Sequence, residues 1–165
     1  MSPISRQPNK QDTHADFSYT EQALHTLKHA GLRITKPRKV VIDLLDNSPV
    51  PLSAYEIKEK IDSLGEKIDT VSVYRIIETL EKHHLIHRLL SSSKVQKCRL
   101  SPESSCDKHQ SDHCHHLLVC SECHTVSEVH CPGANDLVQA VQQAAHFQIT
   151  SHAIEFYGVC GSCSG

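Results

Sequence analysis

The chain has 165 residues, a mass of 18.4 kDa and a formal net charge of −2 at pH 7. This length suits one domain or two small ones and excludes a large multidomain enzyme. No apolar run approaches the roughly 18 residues that a membrane span needs, and the first residues lack the apolar stretch of a secretory signal. We therefore expect a cytoplasmic protein with no membrane segment.

Charge, cysteine and histidine are distributed unevenly along the chain. Residues 1–100 carry 16 Lys and Arg against 12 Asp and Glu, whereas residues 101–165 carry 1 against 7. All eight cysteines lie from Cys98 onward, and the chain has 14 histidines. Because a reducing cytoplasm disfavours disulfides, this excess favours metal binding. The asymmetry predicts two modules with different partners.

Four helices are predicted after a polar segment, residues 1–17, that we interpret as a disordered tail. Each helix opens at a capping residue and carries apolar residues at helical spacing toward a core. The predicted caps are Ser18, Thr35, Ser53, and Asp69 or Thr70. The apolar residues are Ala23, Leu24, Leu27 and Ala30, then Val40, Val41, Leu44 and Leu45, then Ile57, Ile61 and Leu64, then Val73, Ile76, Ile77 and Leu80.

A β-hairpin is predicted next, because two short apolar runs flank the serines at 91–93. Helices followed by such a hairpin form a winged helix-turn-helix domain, which we assign to residues 18–100. The polar stretch 101–112 is interpreted as a linker or hinge, and residues 113–165 form the second module. Its predicted elements are strands over 117–120, 125–129 and 149–159 and a helix over 135–145. The predicted fold class is therefore α+β.

Two Cys-x-x-Cys pairs lie in the second module, Cys120 with Cys123 and Cys160 with Cys163, and 36 residues separate them. Each pair can direct two thiolates at one ion, so the two pairs complete a tetrahedral zinc site with no open position. Sites closed in this way are structural. The alternative, a redox motif, would begin a βαβ unit, which this order of elements does not supply.

A second group of potential ligands surrounds the predicted linker. No nucleophile is paired with a base, so we expect no catalytic residue and interpret the group as a further metal site. The thiolate of Cys98 favours zinc over ferrous iron, which imidazole and carboxylate suit better. For any single histidine an ordinary surface or core role stays open. The members are His87, Cys98, His113, Cys114, His115, His116, Glu128, His130 and His152.

Basic residues cluster in the first module. Lysine and arginine on one edge of a helix-turn-helix neutralise phosphates, and Tyr74 and Arg75, near the start of the fourth helix, can reach base edges. A solvated helical surface is the alternative. The predicted DNA-binding residues are Tyr74, Arg75, Lys36, Arg38 and Lys39, with further basic residues at Arg33, Arg88, Lys94, Lys97 and Arg99.

Several motifs together resemble the ferric uptake regulator (Fur) family of bacterial metal-sensing repressors, over about residues 18–163. They are Thr35-x-x-Arg38, Val73-Tyr74-Arg75, the histidine-rich segment before Cys120-x-x-Cys123, and the ending from His152 to Cys160-x-x-Cys163. The resemblance implies an N-terminal winged-helix domain, a hinge, and a small C-terminal α/β dimerisation domain that bears the cysteine zinc. It also implies a homodimer that binds double-stranded operator DNA and has no small-molecule substrate.

Within that family the chain is most similar to the zinc uptake regulators. In them a sensory zinc is held by a histidine after the recognition helix, a cysteine on the wing, a histidine before the first cysteine pair and a glutamate after it. The corresponding residues here are His87, Cys98, His113 and Glu128. A further regulatory metal would draw on His115, His116 and His152.

The resulting hypothesis is a repressor of zinc-uptake genes that binds its operator when loaded with zinc. One ion at the joint between the modules would fix the spacing of the two recognition helices. An alternative is a Fur-family sensor of iron, nickel or peroxide. Two rivals belong to other classes: a zinc-dependent hydrolase, which needs an open site with a bound water, and a zinc-buffering module without DNA binding.

Overall fold

The computed structural model describes residues 18–99, 115–130, 133–150 and 152–165. The predicted tail (1–17), the predicted linker (101–112) and His113 lie outside the described residues. We refer to residues 18–99 as the N-terminal part and to the described residues from 115 onward as the C-terminal part. None of the helices in these ranges has the length and apolar character that crossing a membrane requires.

The order of elements confirms the predicted α+β fold class. The N-terminal part contains four helices and a two-stranded hairpin: α1 (Tyr19–His29), α2 (Lys36–Asn47), α3 (Ala54–Ser63), α4 (Thr70–Lys82), β1 (Ile86–Arg88) and β2 (Val95–Lys97). The C-terminal part contains three strands and a helix: β3 (His115–Cys120), β4 (Val126–His130), α5 (Ala134–Ala145) and β5 (Glu155–Gly158). We call the β1–β2 hairpin the wing.

The helix starts follow the predicted capping residues. Ser18 and Ser53 each form a complete capping box. In it the serine side chain accepts from the third helical amide, and the side chain of the glutamate at that third position accepts from the serine amide. Thr35 accepts from the amide of Arg38, and Asp69 rather than Thr70 caps α4. Local hydrogen bonding therefore sets where α1, α2, α3 and α4 begin.

The apolar faces of α1–α4 close one core beneath the wing, and nearly all of the predicted stripe residues line it. Ala30, at the C-cap of α1, is exposed. Leu64, which we also expected in this core, is a second exception because 62% of its surface is exposed. It lies at the C-cap of α3, just before Gly65, whose φ of +75° turns the chain away. The residue therefore falls past the end of the buried face.

The C-terminal sheet has the strand order β4-β3-β5, with β3 antiparallel to β4 and parallel to β5. The strand predicted over 149–159 is shorter than expected and covers only Glu155–Gly158. Its partner β3 ends at Cys120, opposite Gly158, and the amide of Ile149 instead bonds the side chain of Gln142 on α5. Apolar content alone therefore does not define the strand.

Candidate metal centres and nucleic-acid interface

Two tight turns bring four cysteines together at one edge of the C-terminal sheet. Since β3 and β5 are parallel neighbours, the turns that follow them meet. One sulfur atom from each of Cys120, Cys123, Cys160 and Cys163 lies within 4.8 Å of the others. The Sγ atoms of Cys123 and Cys160 are 3.7 Å apart, close to the roughly 3.8 Å edge of a tetrahedron with 2.3 Å zinc–sulfur bonds. The sulfur geometry therefore fits a tetrahedral ion.

Backbone amides support negative charge on one of these sulfurs, that of Cys120, whereas hydrogen bonds with Cys160 and Cys123 raise the pKa of Cys163 to about 12. The amide of Cys160 lies 3.4 Å from Cys120 Sγ. Hydrogen bonds from the amides of Cys123 and Cys160 lower the pKa of Cys120 to about 6. Because the thiolate is the form that ligates metal, this turn favours the ligand state near neutral pH.

A second cluster joins the wing to the C-terminal sheet. His87 lies on β1, Cys98 directly follows β2, and Glu128 lies on β4, with one ligand atom of each within 4.8 Å of the other two. Glu128 Oε2 is 3.5 Å from His87 Nε2 and 3.7 Å from Cys98 Sγ. Cys98 is 7% exposed and the Glu128 side chain 3%. A thiol, an imidazole and a buried carboxylate at these separations can act together as metal donors, and we call them the seam cluster.

The remaining oxygen of Glu128 is held by the backbone. The amide of Arg99 donates to Glu128 Oε1 at 2.8 Å. The amide of Cys98 donates to the carbonyl of Leu85 at 2.9 Å, which continues the pairing of β1 with β2. Both the carboxylate and the thiol of the seam cluster are thus positioned by main-chain hydrogen bonds.

Other contacts hold the wing against the sheet around this cluster. Leu89, at the end of β1, packs with Leu117 and Val126 in a small apolar cluster. The buried side-chain amide of Gln96 donates to the carbonyl of Val126 at 3.3 Å. The amide of Leu90 donates to the carboxylate of Glu155. The seam cluster therefore lies within a packed contact between the two parts.

The other predicted ligands divide into two groups. His116 is buried at 1% exposure, and its ring centroid lies 5.7 Å from that of His152. Neither belongs to the seam cluster or to the four-cysteine cluster among the described residues. His115 lies in β3, but its side chain and all of His113 are outside what the structure describes.

Sequence reasoning missed one residue beside the seam cluster. Tyr19, the first residue of α1, is 9% exposed and lines two cavities together with Cys98. Burial and then the nearby Cys98 thiolate raise the pKa of Tyr19 well above its ordinary value. No motif links two residues so far apart in sequence, so only the fold reveals this proximity.

The predicted DNA-contacting residues lie on two helices. Tyr74 is 52% exposed, and Arg75 follows it on the exposed face of α4. Lys36, Arg38 and Lys39 lie in the first turn of α2. Lys36 pairs with Glu66 at 2.8 Å, and Arg38 donates to the carbonyl of Arg33. Lys39 is exposed.

Several wing cations are paired within the N-terminal part. Arg88 bonds Glu81, Lys94 bonds Glu56 and Lys97 bonds Asp46, at 2.8, 2.8 and 2.6 Å. These carboxylates reduce the positive charge that the wing offers to phosphates. The first turn of α2 and the exposed face of α4 therefore remain the better candidate for a nucleic-acid interface.

Comparison with known proteins gives a consistent set of relatives. The profile of the ferric uptake regulator family matches residues 29–157. The chain is 33% identical over 138 residues to the ferric uptake regulation protein of Legionella pneumophila, covering 83% of this chain and 95% of that protein. It is 28% identical over 144 residues to the peroxide operon regulator of Bacillus subtilis (strain 168), covering 87% and 92%.

Two solved structures share this fold closely. A zinc uptake regulator complexed with zinc and DNA superposes with a TM-score of 0.75 at 22% identity, covering 88% of this chain and 92% of that one. The crystal structure of holo XcZur superposes with a TM-score of 0.73 at 26% identity, covering 89% and 97%. The likeness thus extends over both parts of the chain.

Proposed function

Because the chain belongs to the ferric uptake regulator family of metal-responsive transcription regulators, we propose that it is a zinc-responsive repressor. It is a DNA-binding regulator and not an enzyme. In this proposal it acts in the cytoplasm as a homodimer, binds operator DNA when loaded with zinc, and represses zinc-uptake genes. Chelation of the sensory zinc releases the DNA.

The observation that carries the choice of zinc is the thiol of Cys98 in the seam cluster. A thiolate beside an imidazole and a carboxylate suits zinc better than ferrous iron, for which nitrogen and oxygen ligands serve. His87, Cys98 and Glu128 supply three donors, and we assign His113 as the fourth. Four such donors would complete a tetrahedral zinc site.

The four-cysteine cluster is assigned to a second, structural zinc. Such sites provide about 10–16 kcal/mol of apparent binding free energy, which is comparable to the 5–15 kcal/mol stability of a whole domain. The C-terminal part has few buried apolar residues of its own, so an ion tying β3 to β5 would supply stability that its core lacks. His115, His116 and His152 remain candidates for a further regulatory metal.

The proposed mechanism depends on where the ligands lie. His87 belongs to the wing and Cys98 directly follows it, whereas Glu128 belongs to β4. When bound, zinc supplies bonds that connect these two parts through one ion. The side chains then hold the wing, and the helices packed on it, at one angle to the C-terminal sheet. Changing a two-state equilibrium from 1:99 to 99:1 requires about 5.5 kcal/mol, which is less than a four-ligand zinc site provides.

A fixed angle between the wing and the C-terminal sheet affects DNA binding only in a dimer, where it sets the distance between the two recognition helices. Two recognition helices must lie about 34–36 Å apart to enter successive major grooves of a palindromic operator. Apolar side chains exposed on the C-terminal part favour self-association through that part. They are Leu118, Leu137, Val141, Phe147, Phe156, Tyr157 and Val159.

We assign α4 as the recognition helix. Its exposed Tyr74 and Arg75 would read base edges in the major groove, where arginine forms bidentate bonds with guanine. Lys36, Arg38 and Lys39 at the start of α2 would contact phosphates.

The alternative is a family member that senses iron, nickel or peroxide, and the names of the two sequence relatives favour iron or peroxide. We would decide by selecting binding sites from random DNA duplexes, separately with zinc, ferrous iron and nickel, using protein whose four-cysteine site is already filled with zinc. The proposal is supported if binding sites are enriched at a lower free concentration of zinc than of ferrous iron or nickel. Enrichment at a lower free concentration of ferrous iron or nickel contradicts it.

A further inference from the structure

Tyr19 packs against the segment that carries Cys98. Its ring centroid lies 5.8 Å from the ammonium nitrogen of Lys97, the residue directly before Cys98. Its hydroxyl is buried, and no hydrogen-bond partner for it is found among the residues that the structure describes. A buried hydroxyl without a partner is unfavourable, so its presence calls for an explanation.

The carboxylate of Asp46 binds both the residue that follows Tyr19 and the residue that precedes Cys98. Asp46 accepts from the hydroxyl of Thr20 at 3.0 Å and from the ammonium of Lys97 at 2.6 Å. Thr20 follows Tyr19 and Lys97 precedes Cys98 in sequence. Asp46 therefore fixes the start of α1 against the end of β2, and with it the approach of Tyr19 to Cys98.

Both Tyr19 and Cys98 line two cavities. One, of about 20 Å³, is lined by Tyr19 and Cys98 with Gln22, Thr26, His83, His84 and Leu85. A volume of this size accommodates about one water molecule. A second, more open cavity of about 200 Å³ is lined by Tyr19, Cys98, Gln22, Asp46, Lys97 and Arg99. A hydroxyl and a sulfur that line the same water-sized cavity can bond through one water molecule.

We propose that Tyr19 is a positioning residue of the sensory site, whose hydroxyl donates a hydrogen bond, directly or through one water, to Cys98 Sγ when that sulfur is a metal-bound thiolate. The inference rests on the proposed role of Cys98 as a zinc ligand. A metal-bound thiolate is a hydrogen-bond acceptor, whereas a protonated thiol is a weak one. The hydroxyl thus gains its partner in the metal-loaded state, and the bond favours that state.

Hydrogen bonds to ligating atoms orient the ligand and tune the metal. Loss of such an outer partner typically lowers metal affinity 10- to 100-fold. The hydrogen bond also withdraws electron density from sulfur, so its loss makes the thiolate a better electron donor. The energy of a sulfur-to-metal charge-transfer transition should fall in consequence, and a purely structural role for Tyr19 would not produce that shift.

The test uses Tyr19→Phe in the full chain with the four-cysteine site filled with zinc. Cobalt(II) is then titrated, because cobalt bound to sulfur gives a charge-transfer absorption band that reports the ligand environment, whereas zinc gives no such band. Zinc content is measured throughout to show that the cysteine site keeps its ion. Tyr55→Phe, which makes the same change at a tyrosine that is 68% exposed on α3, is the matched control.

We expect Tyr19→Phe to move the band to longer wavelength and to weaken cobalt binding about 10-fold or more, while Tyr55→Phe matches the wild type. Thermal unfolding of Tyr19→Phe with zinc only at the cysteine site should be unchanged or raised, because the ring is kept and an unpartnered hydroxyl is removed. An unchanged band with unchanged affinity overturns the inference about Tyr19. If the Cys98→Ser variant shows the same sulfur-to-cobalt band as the wild type, the assignment of Cys98 as a ligand is overturned, and the inference about Tyr19 with it.

Discussion

The backbone amide of Arg99 donates to Glu128 Oε1 at 2.8 Å, and this bond crosses from the wing to β4. It leaves the other oxygen, Oε2, directed at His87 and Cys98. The carboxylate therefore has two roles: Oε1 accepts a hydrogen bond from the main chain, and Oε2 belongs to the set of candidate metal ligands. Substitutions that preserve the first and remove the second can separate packing from metal binding.

Glu128→Gln is such a substitution, because the amide oxygen can still accept from Arg99 while the charge is lost. We expect zinc affinity at the seam cluster to fall at least 10-fold, since a neutral amide is a poor zinc ligand. Competition with a chromophoric chelator, on protein with a filled four-cysteine site, measures this. Glu59→Gln, an exposed position on α3, is the control. Equal zinc affinity in the two variants would exclude Glu128 as a ligand.

Cys98→Ser should abolish zinc-dependent operator binding while leaving the dimer and its cysteine-bound zinc intact. Serine keeps the size of the side chain but removes the soft donor on which the choice of zinc depends. Mobility shifts across a range of free zinc, together with sedimentation and zinc content, report the three properties separately. The assignment fails if operator affinity still rises with zinc as in the wild type.

Cys120→Ser makes the same chemical change at the other cluster and should have a different result. Removal of one of four ligands weakens the proposed structural zinc, so we expect the C-terminal part to unfold or the dimer to dissociate. Zinc content should fall by one ion per chain. Limited proteolysis and sedimentation provide the measurements, with Cys98→Ser as the matched comparison. A native-like dimer that lacks this zinc would contradict the structural role.

Sequence and structure agree best where the determinants are local. Capping residues within one turn of their helix set the starts of α1 to α4, and the two Cys-x-x-Cys turns could be paired from spacing alone. The seam cluster is different, since its donors come from β1, the end of β2, and β4. Spacing did not identify that set, which came from resemblance to a family.

Features that depend on tertiary packing could not be predicted. The C-terminal end of β5 coincides with the end of β3, and the exposure of Leu64 follows from the turn at Gly65. The approach of Tyr19 to Cys98 depends on Asp46, which bonds residues from α1 and β2 at once. The spacing of apolar residues along the sequence does not reveal a contact of this kind.

The pairing of Glu56 with Lys94 ties α3 to the wing and predicts a pH-dependent stability. The hydrogen bond from Lys94, followed by that from the Ser53 amide, lowers the pKa of Glu56 from 4.5 to about 2. A depressed carboxyl pKa contributes stability above the unfolded value, and that contribution is lost as pH falls through the folded value. Urea unfolding should show wild type and Glu56→Gln converging between about pH 5 and pH 2.

The control for this prediction is Glu59→Gln on the same helix, whose difference from wild type should stay small throughout. Any bound metal should be lost from all three proteins in acid, so the comparison between them isolates the carboxyl group. A stability difference for Glu56→Gln that is constant between pH 5 and pH 2 would show that the ion pair does not stabilise the fold.

The two helices of the candidate DNA interface should respond differently to substitution. Arg75→Ala should lower discrimination between operator and random DNA by about 1–3 kcal/mol, because a bidentate contact to a base edge is lost. Lys39→Ala should weaken binding to every duplex about equally and reduce the salt dependence by about one phosphate contact. Fluorescence anisotropy at several salt concentrations, with zinc saturating, measures both quantities. A uniform loss for Arg75→Ala would place Arg75 on the phosphates and leave Tyr74 as the base-reading residue of α4.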